Sequence, residues 1–175
     1  DYTMALKLDP SNGNNYFNRA LVFYETGAVE RAIADYTLAA EDERYSFRAY
    51  YNRGNCYRKM GCIDDSIADL KRAVDLDPTN PAGHNNLGLS MFEGGQFSQA
   101  QDAFSSAISS ARNNGTYYNN RGLCYYHMGG KHLQAGLKDF EAAIKLSPGE
   151  ASFYFNRGNL RLGLALSIAA GAGAG

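Results

Sequence analysis

Few side chains in this 175-residue chain are spaced for covalent or metal chemistry. His84, His127 and His132, together with Cys56, Cys62 and Cys124, do not fall into a four-ligand metal spacing. Cys56 and Cys124 recur at one pattern position beside a core-facing tyrosine, where a small thiol serves packing. Cys62 follows a turn glycine without an evident activating base and reads as an exposed, unactivated thiol. Asp64-Asp65 and Glu41-Asp42-Glu43 read as solvated helix ends rather than an acid–base pair. Gly94-Gly95 and Gly129-Gly130 read as helix stops, and no P-loop or strand-linked G-x-G-x-x-G is present. No catalytic residue, metal ligand or cofactor site is expected.

What the sequence does space regularly is recognition chemistry. Asn18, Asn52, Asn86 and Asn120 are each 34 residues apart, and Asn156 follows. An amide offers two donors and an acceptor, so such a series can pair with an extended peptide backbone without reading its sequence. Arg19, Arg53 and Arg121 directly follow the asparagine, with Leu87 in the third copy. Sixteen residues beyond Arg19 and Arg53 stand Asp35 and Asp69. Asp139 holds the matching place in the lengthened fourth copy, and Ala103 holds it in the third. Arg and Asp are present together and lost together, which predicts a bidentate Arg–carboxylate contact inside each copy that has them.

The elements that position these groups are set by the same period. Gly27, Gly61, Gly95 and Gly129 keep the 34-residue step, as do Ala5, Ala39, Ala73 and Ala107, with Ala143 following at 36. Within Ala49–Pro78, Tyr50, Gly54 and Tyr57 fall at i, i+4 and i+7, the spacing of one helical face. Gly61 stops that helix, and Ile67, Leu70 and Val74 stripe a second one, which Asp77-Pro78 ends. Gly54, Gly88 and Gly122, with Ala20 in the first copy, are small where two joined helices must cross closely. Ala32, Ser66 and Ala100 do the same early in the second helix. Tyr36, Leu70, Phe104 and Phe140 are expected to fill the space between neighbouring repeats.

These residues resemble the tetratricopeptide repeat pattern. The second copy carries it through Tyr50, Gly54, Tyr57, Ser66, Leu70, Ala73 and Pro78. The third does so through Leu87, Gly88, Ala100, Phe104 and Ala107, and the fourth through Tyr118, Gly122, Tyr125, Phe140, Ala143 and Pro148. The expected fold is all-α: a right-handed α-solenoid of stacked antiparallel helix pairs. Repeats are expected at 13–46, 47–80, 81–114 and 115–150, after the end of a preceding repeat at 1–12. The first helix of a further, degenerate repeat is expected at 151–163, and an Ala/Gly-rich tail at 164–175, of which 169–175 reads as a flexible linker. Two residues are inserted around Gly130-Lys131-His132, in the inter-helix turn. A chain that starts at Asp1 reads as a piece of something longer.

The resemblance implies that first helices line a concave groove. The five asparagines would then form a ladder, as in the superhelix of O-linked N-acetylglucosamine transferase. Phe17, Tyr51, Asn85, Asn119 and Phe155 precede the ladder residues, and Tyr24, Arg58, Phe92 and Tyr126 lie further along; aromatics and arginine suit binding, and several of these aromatics equally suit packing between repeats. Chaperone-binding members clamp a peptide carboxylate with Lys and Arg. Here those places hold Phe17, Leu21, Asn52, Ala82 and Asn86, and only Asn52 fits, so a chaperone C-terminus is not the expected ligand.

The net charge of -1 argues against a general nucleic-acid binder. No apolar run is long enough for a membrane span, and three cysteines suit a reducing intracellular compartment. A non-enzymatic scaffold that binds a peptide or loop in the groove is the leading expectation. The alternative is a structural subunit of a large assembly that docks by its ends or convex face. The Asn-Arg-Gly repeat with a Gly/Ala-rich ending resembles long repeat proteins of cilia. The regulatory arm of an enzyme is a third class.

Overall fold

Local signals start several of the helices and turn the chain after them. Asn12, Asp42, Asn80 and Asn114 cap the helices that begin at Gly13, Glu43, Pro81 and Gly115, each side chain accepting from a backbone N–H in the first turn. Gly27, Gly61, Gly95 and Gly129 have φ of +81°, +78°, +73° and +64°, a left-handed conformation that lets the chain reverse after a helix. The computed structural model describes the backbone of residues 1–172 and the side chains of residues 1–166. The helices are α1 (Tyr2–Leu8), α2 (Gly13–Glu25), α3 (Val29–Ala39), α4 (Glu43–Lys59) and α5 (Ile63–Leu76). They continue with α6 (Pro81–Glu93), α7 (Phe97–Ser110), α8 (Gly115–Met128), α9 (Leu133–Leu146) and α10 (Ala151–Ala172). No strand occurs among the described residues.

The chain forms two compact units, Asp1–Gly94 and Gly95–Gly175. In the first, α2 packs on α3 and α4 on α5, while α3 packs on α4 and α5 on α6. The first helices α2, α4 and α6 also touch in succession. In the second unit α7 packs on α8, α8 on α9 and α9 on α10, and α8 also touches α10. Both are therefore stacks of antiparallel helix pairs, the α-solenoid arrangement, in which each pair is stabilised by its neighbours.

The small residues permit close approach. A Cβ on Gly54 would lie 2.8 Å from Leu70 Cγ, and one on Gly122 would lie 2.8 Å from Phe140 Cε1. Leu70 and Phe140, both 0% exposed, thus seat against the glycine of their own repeat rather than only between repeats. Tyr36 does join neighbours, since it packs in one cluster with Ala20 of its own repeat and with Ala49 and Cys56 of the next. Phe104 is likewise fully buried.

Three details depart from the sequence pattern. Helix α4 begins at Glu43, well before the expected repeat start at 47, because Asp42 supplies a cap. The inserted residues form a 3-10 turn, Gly130–His132. Helix α10 runs on to Ala172, past the expected end at 163, so the Ala/Gly-rich tail is helical up to that residue. The last of that segment, 173–175, lies outside the described residues.

Candidate functional site: the faces of the first helices

The three predicted arginine–aspartate groups come together with similar geometry. Arg19 Nε and Nη2 donate to Asp35 Oδ2 and Oδ1 at 2.7 and 2.8 Å. Arg53 does the same to Asp69 at 2.6 and 2.8 Å, and Arg121 to Asp139 at 2.7 and 2.8 Å. Asp35, Asp69 and Asp139 are all buried. The hydrogen bond that each guanidinium donates to its carboxylate, more than the carboxylate's charge alone, raises the pKa of the three guanidiniums above the usual arginine value. Each guanidinium also lies over a tyrosine one turn earlier: Arg19 over Tyr16, Arg53 over Tyr50 and Arg121 over Tyr118.

A third partner was not anticipated. The remaining Nη1 donates to a hydroxyl on the preceding second helix: Thr3 at 3.3 Å, Thr37 at 2.7 Å and Ser105 at 3.1 Å. Each hydroxyl stands sixteen residues before its arginine, and the copy with Leu87 has Lys71 there. The arginine therefore ties three successive helices. The same spacing had been visible in the sequence on the other side of the arginine.

The asparagines sit on the first helices, and several amides are already engaged. Asn18 Nδ2 donates to Asn14 Oδ1 at 2.8 Å, and Asn156 Nδ2 donates to Asn119 Oδ1 at 2.9 Å. Asn86 Nδ2 donates to the Tyr51 hydroxyl. In the first unit, a cleft of about 260 Å³ is lined by Phe47, Arg48, Tyr51, Asn52, Asn80 and Ala82. Behind it a cavity of about 60 Å³ borders Tyr24, Tyr36, Asn52 and Asn55. The Asn55 Oδ1 there is buried and accepts no hydrogen bond among the described residues. Lys59 Nζ lies 4.7 Å from the centre of the Tyr24 ring.

Other expected surface residues are placed differently. Phe17 is 1% exposed and cannot offer a binding surface. It packs against Tyr36 and Tyr45, with the Arg48 guanidinium 4.4 Å above its ring. The extended start of α4 brings Tyr45 and Arg48 over it, a local feature the repeat pattern does not carry. Asn119 is also buried. Arg58 is half-buried and pairs with Glu93 at 2.8 Å. Tyr126 and Phe155 are exposed in the second unit. Phe92 and Asn85 lie on α6, and Asn120 on α8.

The remaining reactive side chains serve packing. His127 stacks on Phe97 and His132 on Tyr125, and His84 Nε2 donates to the Pro78 carbonyl. Ser66 and Ser90 share a buried 2.8 Å hydrogen bond in the first unit. Among the described residues no group of three His, Cys, Asp or Glu side chains could hold a metal ion. Burial pushes the Cys56 thiol up to about 11 and the Cys124 thiol up to about 12. Both stay protonated at neutral pH. Cys62, half-buried at the start of α5, is more open. At about pH 8 a thiol reagent is expected to modify Cys62 alone, with Cys56 and Cys124 reacting only in denaturant. Rapid labelling of all three in native buffer, counted by mass spectrometry, would contradict this packing.

Tetratricopeptide repeat models match residues 47–80 and, separately, residues 1–46 and 85–151. The chain belongs to the tetratricopeptide repeat family. Solved tetratricopeptide structures resemble it in fold. YrrB, described as a protein with an unusual peptide-binding site, is 24% identical, with a TM-score of 0.77 over 91% of this chain and 81% of YrrB. A MamA protein is 25% identical, with a TM-score of 0.80 over 88% of this chain and 83% of MamA. The first tetratricopeptide domain of Spaghetti (RPAP3), bound to the HSP90 peptide SRMEEVD, is 24% identical. Its TM-score is 0.66 over 71% of this chain and 96% of that domain. No curated protein sequence matches the chain. No helix among the described residues is long and apolar enough to cross a membrane.

Proposed function

We propose that this tetratricopeptide chain is a non-enzymatic protein-interaction scaffold that holds an extended peptide or loop of another protein. The observation that carries the reading is the open cleft at Tyr51 and Asn52. It combines aromatic rings, a guanidinium and amides, groups that contact a peptide's side chains and backbone together. YrrB and the RPAP3 domain, which share the fold, are peptide binders by description.

The partner class is an uncapped stretch of chain rather than an acidic C-terminus of the chaperone type. At the places where a carboxylate clamp would need cations stand Phe17, Leu21, Asn52, Ala82 and Asn86. Of the nearby cations, Arg58 pairs with Glu93 and Arg53 with Asp69, while Arg48, which lines the cleft, lies over the Phe17 ring. Free cysteines go with a reducing, intracellular setting, and the cilium is one such place.

The test is selection of peptides from a random display library, then replacement of Asn52 and Asn86 by alanine. Each lost hydrogen bond contributes about 0.5–1.5 kcal/mol, so the double variant is expected to bind selected peptides about tenfold more weakly. Its helix content should be unchanged. Unaltered affinity, or a library that yields only peptides ending in acidic carboxylates, would remove the groove reading.

A further inference from the structure

Helix α4 carries Arg44, Arg48, Arg53, Arg58 and Lys59 against a single carboxylate, Glu43 in its first turn. Three of these cations are matched inside the chain: Arg44 with Asp42, Arg53 with Asp69 and Arg58 with Glu93. Arg48 and Lys59 pair with no carboxylate among the described residues, and both are exposed. Their positions are not scattered. Arg48, Asn52, Asn55 and Lys59 fall at i, i+4, i+7 and i+11, one stripe of a helix. Arg48 and Asn52 line the cleft, and Asn52 and Asn55 border the cavity behind it. The two unmatched charges therefore close the two ends of the stripe on which the cleft lies.

Both cations are held in place without being neutralised. The Arg48 guanidinium lies 4.4 Å from the centre of the Phe17 ring, and Lys59 Nζ lies 4.7 Å from the centre of the Tyr24 ring, both rings on α2. A ring face attracts a cation but leaves its charge open to an anion. A side chain ordered in advance also loses less freedom on binding. The neighbouring first helices supply no anion. Their acids are Glu25 and Glu93, each the last residue of its helix, and Glu93 is taken by Arg58.

We propose that the occupant of this face is an extended peptide segment with two internal Asp or Glu side chains, one for Arg48 and one for Lys59. This selectivity rests on the groove function proposed above. Phe17 and Tyr24 are seven residues apart, and Arg48 and Lys59 eleven. The helix rise then separates the two charges by about 10–16 Å. An extended strand covers that in about three to five residues. Asn52 meets the backbone between the two acids. Both anions are side chains, so the segment needs no free C-terminus.

The experiment starts from peptides selected on the wild-type chain from a random display library. Their sequences are expected to carry two internal acids about three to five residues apart. Affinity is then measured by fluorescence anisotropy in a double cycle. The chain is wild type or Arg48→Gln with Lys59→Gln, and the peptide keeps both acids or has both changed to the amides. Either change alone is expected to weaken binding about tenfold, the combined effect of two exposed ion pairs. The two losses are expected not to add, because they remove the same contacts. Glutamine keeps much of each polar stem, and circular dichroism checks that the helices persist. Selected peptides without the acid pair, a glutamine variant that binds like wild type, or losses that add in full would overturn the inference. If Asn52→Ala with Asn86→Ala still weakens those peptides, the groove function stands without it. Binding untouched by the asparagine change would remove the groove function and this selectivity together.

Discussion

Phe140→Ala is expected to destabilise the second unit by about 3–5 kcal/mol, the range for removing a fully buried aromatic ring. Phe140 is 0% exposed and packs with Leu133 and Leu160, which ties α8, α9 and α10 together. The cavity cannot close easily, because its floor is the backbone at Gly122, which offers no side chain to move. Domains hold only about 5–15 kcal/mol in total, so this loss is a large share. In a solenoid, each pair leans on its neighbours, so the helices next to α9 should fray with it. Urea unfolding followed by circular dichroism reads the effect as a lower midpoint. A change below about 1 kcal/mol would mean that Phe140 is not the ring on which these helices close.

Asp69→Ala is expected to cost about 3 kcal/mol, the low end for stripping one partner from a buried ion pair. The side chains of Arg53 and Asp69 are 16% and 10% exposed, so the guanidinium left behind is mostly shielded from water. It also keeps Thr37 and the Tyr50 face, which soften the loss without replacing the charge. The double change Arg53→Leu with Asp69→Ala should recover much of the stability, because no charge is then left unpaired. The third repeat already uses that solution, with Leu87 and Ala103 at the two places. A double-mutant cycle measures the coupling. Additive single changes would show that the two groups act independently.

These results bear on what the chain declares in its residues. The period, the helix stops and the Arg–Asp partnership were legible because they recur in several copies, and recurrence separates a rule from an accident. The hydroxyl partners Thr3, Thr37 and Ser105 recur as well and carried a usable signal, a step of sixteen residues backward from the arginine. What stayed hidden belongs to single copies. Phe17 looked like a surface aromatic because Tyr51 and Phe155 stand at its position, but Tyr45 and Arg48 from the early start of α4 bury it. The asparagine series was visible, but its neighbours' rotamers were not. Asn18, Asn86 and Asn156 spend donors on Asn14, Tyr51 and Asn119. Each of those amides therefore has one donor fewer to offer a peptide, whereas Asn52 borders an open cleft. The continuation of α10 beyond 163 was missed because alanine and glycine were read as a linker, while alanine alone is a strong helix former.

The central claim is that partners lie on the faces of the first helices. It is tested most directly by photo-crosslinking a library-selected peptide to chains carrying a benzophenone side chain at one of two places. The first is Tyr51, at the cleft, and the second is the exposed Leu38 on the second helix α3. The account expects covalent capture of the peptide from position 51 and none above background from position 38. Capture from position 38 with none from position 51 would contradict it.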